Sequence, residues 1–263
     1  MTAVPAGAAA LSVTGLSVSY GDLVAVRDAT FSIGPGESVA IIGPNGNGKS
    51  SLLMGIVGLA RRRGQVSIFG ASAPPGDVMW TARHGLTLVP ERRQLYPNLS
   101  AADNVILGCY SWTRSARKAR LSDSFARALD LFPDLRPHLR QAAGTLSGGQ
   151  QQMVAIARGL AAGPKILAVD EPCLGLAEAI SRRVYEALAQ VHEAGTTLIV
   201  VEEAPKRALL ICDRRVEVRN GIVRAGGPGG PDAPAGPGSP GRPSGPPGPP
   251  GDAAGPRAGG PGA

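Results

Sequence analysis

The chain has 263 residues, enough for one α/β-sized domain with a substantial core. Its hydrophobic fraction is 43% but its aromatic fraction only 4%, so Val, Ile, Leu and Ala must supply most of the packing. The longest nearly uncharged apolar stretch, Ser51–Ala60, is too short for a bilayer span, and nothing at the start reads as a secretory leader; a soluble, cytosolic chain is expected. Three scattered cysteines (Cys109, Cys173, Cys212) argue against a disulfide framework or a CxxC zinc site and read as small buried thiols.

The net charge of +7 is carried partly by Arg61–Arg63 and by Arg114, Arg117, Lys118 and Arg120. No aromatic residues interleave with these clusters as stacking platforms, so they read as solvated basic faces and no nucleic-acid partner is expected.

In chain order, residues 1–10 read as a flexible start. Leu11–Tyr20 and Val24–Ile33 then form two antiparallel strands around a Gly21-Asp22 turn. Ser38–Ile42 is a short buried strand and Gly48–Leu59 a mostly apolar helix, followed by strands at Val66–Phe69 and Leu86–Val89. Asp103 to about Leu139 is helix-rich with breaks near Pro133 and Pro137. Helices at Gly148–Ala161 and Glu178–His192 flank a strand at Ile166–Asp170, and Thr197–Val201 is a further strand. This alternation predicts an α/β fold: a mostly parallel sheet covered on both faces, an antiparallel β subdomain at the N-terminus, and a helical subdomain inserted at about residues 100–160. The folded domain spans 11–225. From residue 226 to 263 the composition turns to Gly, Pro and Ala without apolar periodicity, which predicts a disordered tail.

Three motifs carry chemistry. Gly43-Pro44-Asn45-Gly46-Asn47-Gly48-Lys49-Ser50 satisfies GxxxxGK[ST], with an apolar strand before it and a helix after it. Its glycines let backbone N–H groups turn around phosphate oxygens, and the helix start directs its positive dipole end at them. Lys49 would bridge the terminal phosphates and Ser50 would ligate Mg²⁺; Ser51, next along the helix, belongs to the same cradle. Lys49 is expected to support the nucleotide rather than the fold.

Second, the strand ending Asp170-Glu171 places two carboxylates where a cation is needed to hold them. Asp170 would hold Mg²⁺, directly or through water, and Glu171 would polarise the attacking water. Third, Leu146-Ser147-Gly148-Gly149-Gln150 opens a helix and forms a second anion cradle. One nucleotide does not need two cradles from one chain, so the second must serve something else.

The order phosphate loop, LSGGQ, "DEP" resembles the ATP-binding-cassette (ABC) ATPases over about residues 11–225. This resemblance implies an ATPase with ATP and Mg²⁺ as ligands, in which Ser147, Gly148, Gly149 and Gln150 face the ATP of a second cassette. It also implies that Tyr20 stacks on adenine, that Glu91 takes the place of a common Gln, and that Leu174–Ala177 crosses the dimer interface. "VPERRQ" at Val89–Gln94, "LFPDL" at Leu131–Leu135, "AGTLSGGQQQM" at Ala143–Met153 and "VVEEAPKRALLICDR" at Val200–Arg214 resemble the LivF-type subunits of branched-chain amino acid transporters. That branch implies a heterodimer of two cassettes on transmembrane permease subunits at the cytoplasmic face of the membrane, fed by an extracytoplasmic binding protein. Alternatives are a related importer of urea, short amides or other amino acids, or a subunit that binds ATP but hydrolyses it weakly. A soluble cassette acting on DNA or ribosomes fits poorly, since no heptad run separates Lys49 from Ser147.

The sequence departs from the branch at Arg92, where Gly is usual, at Cys173, where Ser is usual, and at Glu203. The last falls on the "switch" position beside the γ-phosphate, where the superfamily has His and the branch Gln. Glu203 is expected to swing to Lys206 or Arg207. His192, eleven residues upstream, is expected to be a half-exposed helix residue unable to replace the switch.

Overall fold

The expected hairpin opens the fold. In the computed structural model, which describes residues 8–204 and 206–226, β1 (Leu11–Tyr20) pairs antiparallel with β2 (Leu23–Ile33). Leu11, Val13, Leu16 and Val18 alternate onto one buried face. The packed fold includes Ala10, which the sequence reading assigned to a flexible start: it is buried and its carbonyl accepts from Phe69 N at 2.9 Å.

β3 (Ser38–Ile42) leads through the phosphate loop into α1 (Lys49–Val57). This helix is apolar on most sides because it is enclosed between β1, β2 and the central sheet. Gly58 ends it in the left-handed region and donates to Gly55 O and Met54 O.

The next element corrects the reading of Arg61–Arg63 as a solvated face. Arg62 is buried; its guanidinium donates to Gly55 O (3.0 Å) and Ile56 O (3.1 Å), two carbonyls at the C-terminal end of α1, and to Ala73 O (2.6 Å). A cation there suits the negative end of the helix dipole. Arg62 opens β4 (Arg62–Ile68), which pairs antiparallel with β1 and carries the short edge strand β5 (Ala71–Ser72). Helix α2 (Val78–Arg83) follows, capped by Asp77, and leads to β6 (Leu86–Val89).

The helix-rich segment is built from α3 (Ala101–Leu107), α4 (Ala116–Arg120) and α5 (Asp123–Asp130), with short 3₁₀ turns between and after them, one of them at Pro133–His138. It packs on α6 (Gly148–Ala161). Then come β7 (Ile166–Asp170), α7 (Glu178–Glu193), β8 (Thr197–Glu202), β9 (Arg214–Arg219) and β10 (Ile222–Ala225). The ladder runs one residue past the expected boundary, because Gly226 N donates to Arg215 O at 3.1 Å. The rest of the Gly/Pro segment, 227–263, lies outside the described residues.

The strand order is β5-β4-β1-β2-β10-β9-β3-β8-β7-β6. From β9 to β6 every neighbour is parallel, and β1, β2, β4 and β5 form the antiparallel flank. The period of two in the central strands decides what faces what. Val39 and Ile41, Ile166 and Ala168, Ile199 and Val201 point toward α1 and the antiparallel flank. Ala40 and Ile42, Leu167 and Val169, Leu198 and Val200 point toward α6, α7 and the helical layer. Continuing the alternation sends Asp170 toward the start of α1, and sends Glu202 toward α7.

Candidate active site

The site lies at the C-terminal ends of β3, β7 and β8, where ligands of open parallel sheets bind. The loop from Gly43 to Ser50 is fixed by close packing. A Cβ on Gly43 would meet Val218 O at 2.1 Å. Gly48, at φ +101, would place one 2.4 Å from Ala25 O. Glycine is obligatory at both. Asn47 serves the same purpose from the other side: its Oδ1 accepts from Asn220 N (2.7 Å) and its carbonyl from Gly221 N (3.0 Å), which ties the loop to the β9–β10 turn. Asn47 is therefore a structural member of the loop rather than part of the cavity lining.

A cavity of about 450 Å³ opens on this loop. Of the residues predicted from sequence it brings together Tyr20, Asn45, Gly46, Gly48, Lys49, Ser50, Ser51, Glu91 and Glu171. Tyr20 ends β1 with 48% of its surface exposed, free to present its ring to a flat ligand. Leu23, Ala25 and Leu174 complete the wall.

Lys49 is buried and folds back on the loop. Its Nζ donates to Gly43 O (2.7 Å), Pro44 O (3.3 Å) and Asn45 Oδ1 (3.3 Å), and lies 3.3 Å from Glu171 Oε1. The expectation that it supports only the nucleotide is thus corrected: it also organises the loop. Phosphate oxygens would replace these acceptors with charged ones.

Asp170 and Glu171 end β7. Asp170 is almost fully buried; its Oδ1 has no hydrogen-bond partner, and Ser50 hydrogen-bonds its carboxyl. Burial pushes Asp170 up to about 6, opposed by that hydrogen bond and by Lys49, reinforced by Glu171 and Glu91. A buried carboxylate oxygen without a partner, beside a serine hydroxyl, is the donor set a hard divalent cation takes. Glu171 is held at φ +47, uncommon for a residue with a side chain, and its N–H donates to Val201 O at 2.9 Å.

Glu203 does not swing to Lys206 or Arg207. Its Oε2 accepts from Asn45 Nδ2 at 2.7 Å, while Arg207 pairs with Glu178. His192 is partly exposed, as expected, and sits at the opposite end of the sheet, 3.2 Å from Ser38 Oγ.

Ser147, Gly148, Gly149 and Gln150 do not line this cavity. They form the start of α6, with Ser147 and Gly148 exposed and Gly149 buried; Ser147 Oγ accepts from Gln150 N (3.3 Å) and Gln150 Oε1 accepts from Ser147 N (3.0 Å). Gln150 thus closes a capping box, a local task that the residue-by-residue reading did not assign to it. Gly149 is required by contact, since a Cβ would come within 2.9 Å of Ile180.

Residues 26–174 match the family model described as "ABC transporter". The chain belongs to that family. It is an ATP-binding, ATP-hydrolysing cassette. It is similar to the high-affinity branched-chain amino acid transport ATP-binding protein BraG of Pseudomonas aeruginosa, 35% identical over 80% of this chain and 89% of that one. It is 32% identical to a probable branched-chain amino acid transport ATP-binding protein, LivF, of Archaeoglobus fulgidus, over 81% of this chain and 89% of that one. The fructose import ATP-binding protein of Rhizobium meliloti is 33% identical over 78% and 82%. Among solved structures, a dimeric cassette in a post-hydrolysis state bound to ADP and Pi superposes with TM-score 0.70 at 28% identity, covering 81% of this chain and 96% of that one.

Two residues of this cassette's site escaped the sequence reading. Glu202, at the end of β8, accepts from Tyr185 Oη of α7 at 2.6 Å and lies against Glu171; burial pushes it up to about 7, with the Tyr185 hydrogen bond opposing and Glu171 reinforcing. The signal was the alternation along β8, which puts an acid at the same strand end as Asp170 but on the other face. No helix among the described residues is long and apolar enough to cross a membrane.

Proposed function

We propose that this cassette energises an importer, with branched-chain amino acids as the cargo. The cargo reading is supported by the names of BraG and LivF together with the LivF-type segments at Val89–Gln94 and Val200–Arg214. The observation that carries the catalytic reading is the meeting of Lys49, Ser50, Asp170 and Glu171 at the phosphate loop.

In this mechanism Gly43–Ser51 hold the phosphates of ATP, with Tyr20 against the base. Ser50 and Asp170 would hold Mg²⁺, which would supply charge neutralisation at the phosphoryl group. Lys49 leaves its loop carbonyls for the terminal phosphates. Glu171, freed of Lys49, accepts a proton from the attacking water, and Glu91 stands across the cavity. Ser147, Gly148, Gly149 and Gln150 cover the nucleotide of a second cassette. Catalysis is positioning and charge neutralisation.

The second cassette is a different chain, and the pair sits on permease subunits at the cytoplasmic face of the membrane, served by an extracytoplasmic binding protein. An apolar groove of about 320 Å³, walled by Leu59, Met79, Leu107 and Tyr110, fits a permease segment.

Glu171→Gln tests the assignment on the assembled complex. It keeps shape but cannot take the proton, so phosphate release should fall by about 10²- to 10⁴-fold while ATP still binds and the closed pair accumulates. Wild-type turnover in this variant would remove Glu171 from the role of base. Identification of co-purifying membrane subunits, followed by uptake of labelled leucine, tests the cargo.

A further inference from the structure

The loop between β6 and α3 borders two sites. Glu91 lines the nucleotide cavity, whereas Pro90 and Gln94 line the apolar groove. Two side chains fasten this loop to α6. Arg158 forks across it, Nη1 donating to Gln94 O at 2.7 Å and Nη2 to Arg93 O at 2.6 Å. Arg93 returns the contact: Nε donates to Gln152 Oε1 (3.1 Å) and Nη1 to Gln151 Oε1 (3.3 Å), both on the first turns of α6.

The fork needs arginine. Two successive carbonyls are met by a planar guanidinium, which an ammonium on a flexible stem does not reproduce. Burial costs that cation some of its proton affinity, so the hydrogen bonds offset a real desolvation cost. Gln94 is held at φ +49, a conformation that persists only where surroundings enforce it. The base of the fork is itself fixed. A Cβ on Gly159 would lie 2.6 Å from Val89 Cγ2, and one on Gly108 would lie 1.8 Å from Arg158 O, so α6 is pressed against β6 and α3 at this point.

We propose that Arg158 is a positioning residue that makes the Glu91 loop part of the same rigid body as α6. The signature end of that helix begins at Ser147. A displacement there, when a second cassette closes, is delivered through the clasp to Glu91 at the chain's own nucleotide and to Pro90 and Gln94 in the groove. Without the clasp the loop would follow β6, and the signature would move alone. The consequence rests on the reading of the chain as an importer's cassette; the clasp itself does not.

The test is hydrogen–deuterium exchange of the purified full chain, with and without Mg-ATP, for wild type, Arg158→Lys and Arg158→Met. Arg158→Lys keeps the stem and charge and loses the fork. Amides of residues 91–96 should exchange about tenfold faster in both variants, with α6 unchanged. ATP affinity should stay within about twofold of wild type, because no phosphate-loop contact is altered. Any Mg-ATP response at 146–150 should persist while the matching response at 91–96 disappears. Unchanged exchange at 91–96 in both variants would overturn the proposal. So would uniform loosening of α6 and the helical layer, which marks a packing role alone. A wild-type chain that binds no ATP would refute the functional reading, while the comparison without nucleotide would still decide the clasp.

Discussion

The cassette contains two glycine-flanked helix starts, both proposed above as phosphate cradles, and they are built in opposite ways. At α1 the start is sunk into the sheet end, its lysine is buried, and carboxylates from β7 stand beside it. At α6 the cap serine and first glycine are exposed, the serine is occupied by its own capping box, and the helix start borders no share of the cavity. The first can bind a nucleotide with what one chain supplies. The second offers only N–H groups and a dipole, and needs a surface from elsewhere to become a site.

That contrast predicts different outcomes for substitutions in the two cradles. Lys49→Ala removes the charged donor to the phosphates, worth up to about 3 kcal/mol, so ATP affinity of the isolated chain should fall roughly a hundredfold. ATP should no longer raise its melting temperature. The nucleotide-free protein should also lose about 1–3 kcal/mol, since Gly43 O and Asn45 Oδ1 lose their donor and Glu171 its cation. Isothermal titration and thermal melts check both. An ATP affinity equal to wild type would sink the placement of the nucleotide.

Ser147→Ala should behave otherwise. Loss of the cap costs about 1 kcal/mol, and ATP affinity of the isolated chain should not change. What should fail is ATP-driven pairing with the second cassette, read by size exclusion in Mg-ATP. If affinity in the isolated chain drops together with pairing, both cradles serve one nucleotide and the comparison collapses.

How much of this was legible in the sequence follows from how far apart the cooperating residues lie. The α1 cradle is written in consecutive residues, and Asp170-Glu171 is marked by the strand that precedes it, so both could be placed from sequence. The β9–β10 hairpin carried a readable signal, Asn220-Gly221, with both residues at positive φ and Val216 and Val218 alternating before them. The clasp of Arg158 on Arg93 and Gln94, the Tyr185–Glu202 contact and the burial of Arg62 under α1 were not legible. Each joins groups distant in sequence or hides a charge that composition places at the surface, and only the packing shows the carbonyls they serve.

Glu203 is where sequence and structure pull hardest against each other. Position alone suggested a carboxylate facing phosphate, which would have to swing to a cation. The structure gives it a partner within the Gly43–Ser50 loop instead: the Asn45 amide donates to Glu203 and accepts from Lys49, so one side chain links the end of β8 to Lys49. The amide can serve both only with its nitrogen toward Glu203, and that orientation demands an acceptor there. A glutamine can supply that acceptor through its amide oxygen, without the charge. Glu203→Gln should therefore leave the loop geometry and the stability unchanged. It should hold or raise ATPase activity by no more than about fivefold, the scale of an exposed charge worth up to about 1 kcal/mol. The gain should shrink as salt is raised, because Glu203 is exposed and its field is screened. A tenfold or larger fall in phosphate release would overturn this reading, since the geometry would be intact and the missing element could only be the carboxylate's charge or its proton.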